Sequence, residues 1–265
     1  METGATFELS IAGSVATLVF KREGGQPVNV VDLKMLSALI VELDALAARD
    51  DVRCLVLRGA GKGFLAGGDL AYLHADMTRA PENARATIEA LNEVMRRLVR
   101  LPMATLASVH GAAAGVGNSF AMACDMVIAS DDARFIYAYD KIATTPDGGL
   151  SWLLPRKVGL ARAMEIGLFG EPLSATRAQE LGLVSRIVKV EELDAATQEL
   201  ATRLAALPTR AVVSLRDLLR DGLQRNFDEH LDFERDAFGA SAATQDFKEG
   251  VDAFYERRPA VMHGK

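Results

Sequence analysis

Two glycine-rich segments are the parts of this sequence whose residue types point most directly to chemistry. They are residues 61–69 (GKGFLAGGD) and residues 110–117 (HGAAAGVG). Each follows an apolar run and precedes a helical pattern, and glycine lets backbone N–H groups face a ligand without obstruction by side chains. Free N–H groups at the start of a helix favour an anion or a developing oxyanion. The two segments together could therefore donate two hydrogen bonds to one oxygen atom.

Nucleotide binding is the first alternative for these segments. Residues 59–62 (GAGK) look like a phosphate loop, but Gly63 stands where that loop needs a hydroxyl ligand for Mg²⁺. Residues 115–120 (GVGNSF) begin like a dinucleotide fingerprint, but Phe120 replaces its third glycine. We reject the first interpretation and regard the second as weak. A further alternative is that both segments are ordinary turns.

Strand and helix patterns alternate over the first two thirds of the chain and would position these segments. Residues 7–11 and 15–20 predict a hairpin that turns at Gly13. Apolar runs predict buried strands over 52–57 and 104–110, and further strands over 125–129 and 134–138. Apolar spacing predicts helices over 31–48 (with Asn29 as N-cap), 81–101 and 118–123, and then over 149–158, 161–168, 175–181, 193–207, 209–223, 227–238 and 247–257.

The composition is that of a globular protein. Of 265 residues, 49% are apolar and 25% are charged, and 30 Lys and Arg against 36 Asp and Glu give a net charge of −6. A net negative chain lacks the basic face typical of nucleic-acid binding, so we expect no nucleic-acid partner. No apolar run is long enough to span a membrane, no signal peptide is evident, and Cys54 and Cys124 lie in apolar runs. We expect a cytoplasmic protein without a membrane partner. The four histidines show no metal-ligand spacing, so we also expect no metal.

Eight segments in succession resemble the enoyl-CoA hydratase/isomerase (crotonase) superfamily. The resemblance covers nearly the whole chain and is strong because of the order of its pieces. They are residues 64–70 (FLAGGDL), 109–117 (VHGAAAGVG), 120–125 (FAMACD), 145–149 (TPDGG), 154–159 (LPRKVG), 171–175 (EPLSA), 181–184 (LGLV) and 249–254 (EGVDAF).

The resemblance implies an α/β fold, a crotonase-type β-β-α spiral core with a C-terminal helical trimerisation region. We assign the core and its coenzyme A ester site to residues 1–200, and the region for oligomerisation and site closure to residues 201–265. It implies an acyl-CoA thioester as substrate, no cofactor other than the coenzyme A of that substrate, and a homo-oligomer, either a trimer or a dimer of trimers.

The resemblance also assigns site residues. The backbone N–H groups of Gly68 and Val116 would polarise the thioester carbonyl, although the family usually has glycine where Val116 stands. The coenzyme A would lie along Lys21, Arg22 and the strand leading to Ala66, with Arg257 from the C-terminal tail; a solvated basic pair is the alternative for Lys21 and Arg22. The other substrate-binding candidates are Gly67, Asp69, Leu70, Gly115, Ser119, Tyr139, Trp152 and Phe254, with a helix cap as the alternative for Asp69.

The acid/base group is the most informative position. Hydratases of the family use two glutamates, and Ser119 and Tyr139 stand at the corresponding positions here. Neither is a carboxylate base near neutral pH. Asp147, by contrast, falls where some isomerases and aroyl-CoA dehalogenases of the family place their acting aspartate. We expect burial among Leu150, Trp152 and Ile142 to raise the pKa of Asp147. The alternative for Asp147 is a helix N-cap.

An isomerase needs only one base, which removes a proton and returns it elsewhere on the same allylic system. The sequence therefore favours an acyl-CoA isomerase that shifts a C=C bond or opens a strained ring through an enolate. A hydratase, or a hydrolase or dehalogenase with Asp147 as nucleophile, is the second hypothesis. A catalytically silent subunit that binds coenzyme A esters is the third, because both glutamates are replaced.

Overall fold

A six-stranded sheet is the framework of the protein in the computed structural model, which describes residues 5–22 and 28–265. The strands of the described residues are β1 (Ala5–Ala12), β2 (Val15–Arg22), β3 (Cys54–Gly59), β4 (Ala104–Val109), β5 (Ala112–Ala114), β6 (Met126–Ser130), β7 (Arg134–Ile136), β8 (Leu173–Ser174) and β9 (Arg186–Val188). The main sheet has the order β1-β2-β3-β4-β6-β9, and β5, β7 and β8 form a second sheet.

The predicted hairpin at the start of the chain is confirmed. β1 and β2 pair antiparallel from Ala5 opposite Arg22 to Ala12 opposite Val15, and Gly13 takes a φ of +57° in the turn. The remaining neighbours in the main sheet pair in parallel. β3 and β4 are the central strands and are almost entirely buried, as their continuous apolar runs predict.

Helices cover the sheet and form most of the second half of the chain. They are α1 (Leu33–Ala47), α2 (Ala71–His74), α3 (Ala80–Val99), α4 (Val116–Ala123), α5 (Leu150–Val158), α6 (Leu160–Phe169), α7 (Ala175–Glu180), α8 (Leu193–Ala205), α9 (Thr209–Asp221), α10 (Phe227–Ala242) and α11 (Gln245–Glu256). The predicted succession of helices after residue 145 is thus confirmed, but the short strands β8 and β9 between them were not predicted. α8 spans the predicted division at residue 200.

One predicted cap is wrong. The side chain of Asp32 caps α1 by accepting a 2.7 Å hydrogen bond from the Met35 amide, whereas Asn29 lies outside the helix. Asn29 instead contacts the first glycine-rich segment, as described below. The sequence interpretation also missed β5, because a run of three alanines between glycines carries no strand signal.

Three buried phenylalanines fix the glycine-rich segments to the sheet. The Phe20 ring of β2 makes edge-to-face contacts with Phe64, at 5.7 Å between centroids, and with Phe120 of α4, at 5.1 Å. All three side chains are at most 2% exposed. Because Phe64 belongs to the first segment and Phe120 to the helix after the second, a single aromatic cluster positions both.

Candidate active site

The first loop, residues 59–70, is held by Asn29. The Asn29 side-chain amide donates to the backbone carbonyls of Ala60 (2.8 Å), Gly63 (2.9 Å) and Phe64 (3.1 Å). The backbone carbonyl of Asn29 accepts a 2.7 Å hydrogen bond from the Ala66 amide. Asn29 is 6% exposed, so these bonds are shielded from water. The sequence carried a signal for this role, since Asn29 is a polar residue within an apolar run (VNVV).

The end of the first loop presents the amide of Gly68. Val31 donates to the Gly67 carbonyl at 2.9 Å and accepts from the Asp69 amide at 2.8 Å, which forms a parallel bridge between Val31 and Gly68. In such a bridge the paired groups belong to the residues on either side, so the Gly68 N–H takes no part in it. Gly68 lines the cavity described below.

The second loop, residues 110–117, runs alongside the first. The Leu65 amide donates to the Ala112 carbonyl at 3.2 Å, and the Ala114 amide donates to the Leu65 carbonyl at 2.8 Å. Val116 is then the first residue of α4, where an amide has no acceptor within the helix. Val116 is not among the residues with a positive φ, whereas the preceding Gly115 takes a φ of +50°. Valine at position 116 therefore introduces no backbone strain.

The two loops meet at their glycines. A Cβ atom on Gly115 would lie 3.8 Å from the Gly67 Cα and 3.9 Å from the Tyr139 ring, and a Cβ atom on Gly117 would lie 2.1 Å from the Leu65 carbonyl oxygen. A side chain at position 117 would separate the loops, whereas at position 115 the φ of +50° is what favours glycine. The close approach places the residues that follow, Gly68 and Val116, on the wall of one cavity.

That cavity has a volume of about 640 Å³ and is predominantly apolar. Its walls come from the N-terminal part of α1, from α3, from the two loops and from residues 138–149, which we call the 138–149 turn. Among the predicted site residues, the cavity is lined by Ala66, Gly67, Gly68, Asp69, Leu70, Gly115, Val116, Tyr139 and Asp147.

Asp147 presents a carboxylate to this cavity. Its Oδ1 accepts a 2.7 Å hydrogen bond from the Tyr139 phenol, and its backbone carbonyl accepts a 3.0 Å bond from the Ser119 hydroxyl. Burial raises the pKa of Asp147, and the bond from Tyr139, which stabilises the charged form, offsets part of that rise. The predicted direction is confirmed. The helix-cap alternative is wrong, because Gly149 is the N-cap of α5 and the Asp147 side chain makes no capping bond.

The other two carboxylates of the cavity wall are engaged elsewhere. Asp32 caps α1. Asp69 pairs with Arg22 at 2.8 Å, with both side chains 17% exposed, and its other oxygen accepts from the Ala71 amide at the start of α2. Asp69 thus fixes the chain that leaves the first loop, although the N-cap residue of α2 is Leu70 and not Asp69. Of the three carboxylates of the cavity wall, Asp147 is therefore the candidate base or nucleophile.

The chain as a whole has counterparts among known proteins. The family model for enoyl-CoA hydratase/isomerase matches residues 10–265. The chain belongs to this family. It is 37% identical over 252 residues to a 1,2-epoxyphenylacetyl-CoA isomerase of Escherichia coli (strain K12), covering 95% of both proteins. It is 33% identical over 260 residues to a probable enoyl-CoA hydratase of Rhodobacter capsulatus, covering 98% of both.

A solved structure confirms the fold class. The crystal structure of an enoyl-CoA hydratase from Polaromonas sp. JS666 superposes with a TM-score of 0.91 at 31% sequence identity, covering 97% of this chain and 99% of that one. The α/β crotonase fold expected from the resemblance is thus the fold of this family member.

Six predicted binding residues of this family member do not line the cavity. Lys21 pairs with Glu8 on the surface, and Arg22 pairs with Asp69. Trp152 is 41% exposed and stacks under the Arg156 guanidinium at 3.8 Å, so it does not bury Asp147. The reason is its position on the outer face of α5, whereas Leu150 of the same helix is fully buried.

The two predicted residues of the C-terminal tail also lie elsewhere. Phe254 is 76% exposed and lines a separate groove of α9, α10 and α11. Arg257 is the exposed C-cap of α11, with a left-handed φ of +54°. Ser119 is a different case, since it is fully buried and lies behind Asp147 without lining the cavity.

Two features of the described residues bear on other classes of function. Across residues 5–22 and 28–265, no three His, Cys, Asp or Glu side chains are grouped so that they could hold a metal ion. Within the same residues, no helix has the length and apolar character needed to cross a membrane. Both cysteines are buried free thiols.

Proposed function

We propose that this protein is an acyl-CoA isomerase, which shifts a C=C bond or opens a strained ring next to a coenzyme A thioester. The observation that carries the proposal is the Asp147 carboxylate, partly buried in the wall of the cavity onto which Gly68 and Val116 open. A relative named as an epoxyphenylacetyl-CoA isomerase, 37% identical over nearly the whole chain, supports it.

The first step is removal of a proton. The thioester oxygen accepts hydrogen bonds from the Gly68 and Val116 amides, and these preorganised donors stabilise the negative charge that develops on it. The Asp147 carboxylate takes a proton from the carbon next to the carbonyl or from the γ carbon, and the electron pair of the broken C–H bond forms the enolate.

The second step returns a proton, which exchanges with solvent while Asp147 holds it. The carboxylic acid of Asp147 protonates the other end of the allylic system, the enolate electrons form the shifted C=C bond, and Asp147 is a carboxylate again. Substrate and product are isomers, so no water is consumed. The steps use the chain's own amides and Asp147, and coenzyme A enters as part of the substrate.

Addition of water is the alternative within the family, which a probable hydratase among the relatives represents. A two-carboxylate hydratase needs a second acid near the first. Here Ser119 and Tyr139 donate hydrogen bonds to Asp147 instead, and Asp32 and Asp69 are engaged in a cap and an ion pair. These contacts favour isomerisation.

Covalent catalysis by Asp147 is the second candidate. Because the bond from Tyr139 occupies Oδ1, Oδ2 could attack an acyl or aryl carbon, and water would then complete a hydrolysis or dehalogenation. Mass spectrometry of a quenched reaction separates the two, because the covalent route alone leaves an added mass on the peptide that contains Asp147. A silent subunit that binds thioesters is the remaining possibility.

A panel of enoyl-CoA, epoxyacyl-CoA and aroyl-CoA substrates in D₂O tests the proposal. We expect one class to yield an isomer, with deuterium incorporated at carbon and no mass of added water. A product heavier by one water supports the hydratase instead. Binding of the panel without turnover of any member contradicts catalysis and supports the silent subunit.

We also propose that the protein is a homo-oligomer. Large apolar side chains are exposed on the C-terminal helices of the monomer, among them Leu215 (56%), Leu219 (67%) and Phe254 (76%). Burial of such a surface against other copies is favourable. Light scattering after size-exclusion chromatography is expected to give a trimer or hexamer, and a monomeric mass at micromolar concentration contradicts this proposal.

A further inference from the structure

Two hydroxyl groups hold Asp147, one through its carboxylate and the other through its backbone carbonyl. The Tyr139 phenol donates to Oδ1 at 2.7 Å, and the Ser119 hydroxyl donates to the backbone carbonyl at 3.0 Å. We propose that Ser119 and Tyr139 are positioning residues that form a hydroxyl clamp, which leaves Oδ2 of Asp147 as the atom that carries the proton. This inference rests on the proposed function, in which Asp147 is the base.

The backbone around Asp147 explains why a clamp is needed. The 138–149 turn contains Ala138 and Ala143 with φ values of +61° and +52°, and Gly148 and Gly149 with +56° and +78°. Left-handed alanine is strained and persists only where its surroundings hold it. Much of the turn is solvent-exposed, so contacts from the buried side must hold Asp147.

Ser119 fits the clamp by its size as well as by its hydroxyl. A Cβ atom on Gly148 would lie 2.8 Å from the Ser119 Cβ and 3.0 Å from its Oγ. The turn therefore packs directly on Ser119, with no space for a side chain at position 148. A larger residue at position 119 would displace the turn, whereas serine fills the space and bonds the Asp147 carbonyl.

Tyr139 remains a donor at any pH at which the enzyme works. Burial, followed by the effect of the neighbouring Asp147 carboxylate, raises the pKa of Tyr139 far above that of a free phenol. The phenol is therefore neutral when it bonds Oδ1. A donor to the carboxylate stabilises the charged form, so removal of this hydroxyl must raise the pKa of Asp147 further.

Charges near Asp147 do not explain its pKa. α4, which carries Ser119, has no charged residue, and the charged groups of the cavity wall are Asp32, Asp69 and Lys141. Asp69 is paired with Arg22, and Lys141 is paired with Asp140. Burial, the Tyr139 hydroxyl and the Asp147 amide are the influences on the Asp147 pKa. Of these, the Tyr139 hydroxyl can be removed by one substitution.

The test compares Tyr139→Phe with Tyr137→Phe. The Tyr139 ring packs edge-to-face on Tyr137 at 5.3 Å, and phenylalanine preserves this packing at either position. The Asp147 carboxyl is titrated by NMR in protein labelled with ¹³C at the aspartate carboxyl carbons. The Asp147 signal is identified as the one that is missing in the spectrum of Asp147→Asn. This readout needs no substrate.

We expect Tyr139→Phe to move the Asp147 titration midpoint to higher pH and to lower kcat by about 10- to 100-fold, the range for a hydrogen bond to a charged group. The acid limb of the kcat/KM profile should move in the same direction. Tyr137→Phe should leave the midpoint and kcat unchanged. Ser119→Ala should lower kcat without the rise in midpoint, because Ser119 bonds the carbonyl oxygen.

If Tyr139→Phe has the same titration midpoint and kcat as Tyr137→Phe, the proposed clamp is wrong. If kcat is unchanged in Ser119→Ala, Ser119 is not part of the clamp. Circular dichroism and melting curves verify that each variant is folded. Failure of the proposed function is seen separately: Asp147→Asn would then turn substrate over normally, whatever the NMR titration shows.

Discussion

The two halves of the candidate site are built in different ways. The glycine loops, residues 59–70 and 110–117, are fixed by backbone bonds, by Asn29 and by the phenylalanine cluster, and they present main-chain amides. In the 138–149 turn, Asp147 is held by two side-chain hydroxyls, that of Ser119 from α4 and that of Tyr139 from the turn itself, and the turn presents the Asp147 carboxylate to the cavity. Reactivity of the first half therefore depends on backbone geometry, and that of the second on single side-chain atoms.

The contrast between the two halves indicates which substitutions would change the reaction of this family member. The amides of Gly68 and Val116 persist through most substitutions, so the loops can polarise a thioester in many reactions. Replacement of one or two side chains around the 138–149 turn changes the number and placement of acids. Here that turn supplies one acid to the cavity, Asp147, with a raised pKa.

Loss of the acid itself has the largest expected effect. Asp147→Asn keeps the size of the side chain and can still accept from Tyr139, but it cannot take a proton. We expect turnover to fall by at least about 100-fold with acyl-CoA binding retained, as measured by steady-state kinetics and calorimetry. Asp131→Asn, which alters an exposed partner of Lys189, is the matched control and should retain full activity.

The same substitution should raise stability. A carboxyl whose pKa is higher in the folded than in the unfolded state binds protons more tightly when folded, so stability falls as pH rises through that interval. At neutral pH Asp147 is then a destabilising charge, and the neutral asparagine removes it. A melting temperature at pH 7 lower than that of wild type would contradict the burial of this carboxylate.

Separation of the glycine loops has the next largest expected effect. In Gly117→Ala the new Cβ would lie 2.1 Å from the Leu65 carbonyl oxygen, so the loops must move apart. We expect the free energy of unfolding to fall by about 2 kcal/mol or more in urea titrations, with a loss of turnover. Gly239→Ala in α10 is the control, since its Cβ would contact nothing within 4 Å and alanine favours the helix.

The ion pair beside the first loop has the smallest expected effect. Arg22→Gln and Asp69→Asn each remove the 2.8 Å pair, and the double variant should lose less stability than the sum of the two. We expect a coupling of about 0.5–1 kcal/mol, measured by a double-mutant cycle. Lys21→Gln, at an exposed pair with Glu8, is the control. If the stability losses of the two single variants simply added in the double variant, the pair of Arg22 with Asp69 would not stabilise the first loop.

The same contrast explains how much could be predicted from the sequence. The hairpin, the buried strands and both glycine loops were predicted because apolar runs and glycine clusters report directly on the backbone. The raised pKa of Asp147 was also predicted. Its partners were not: the bonds from Tyr139 and Ser119 depend on the path of an irregular turn, which no periodicity encodes. Trp152 was misplaced for a related reason, since about half a helical turn separates the exposed Trp152 from the buried Leu150 of α5.

A crystal structure with a bound acyl-CoA that cannot isomerise tests the central claim most directly. We expect the thioester oxygen at about 2.7–3.1 Å from both the Gly68 and the Val116 amide nitrogens. The Asp147 carboxylate should face the carbon from which the proton is removed. A thioester oxygen bonded to neither amide, or an Asp147 side chain turned away from the acyl group, would contradict the proposed mechanism.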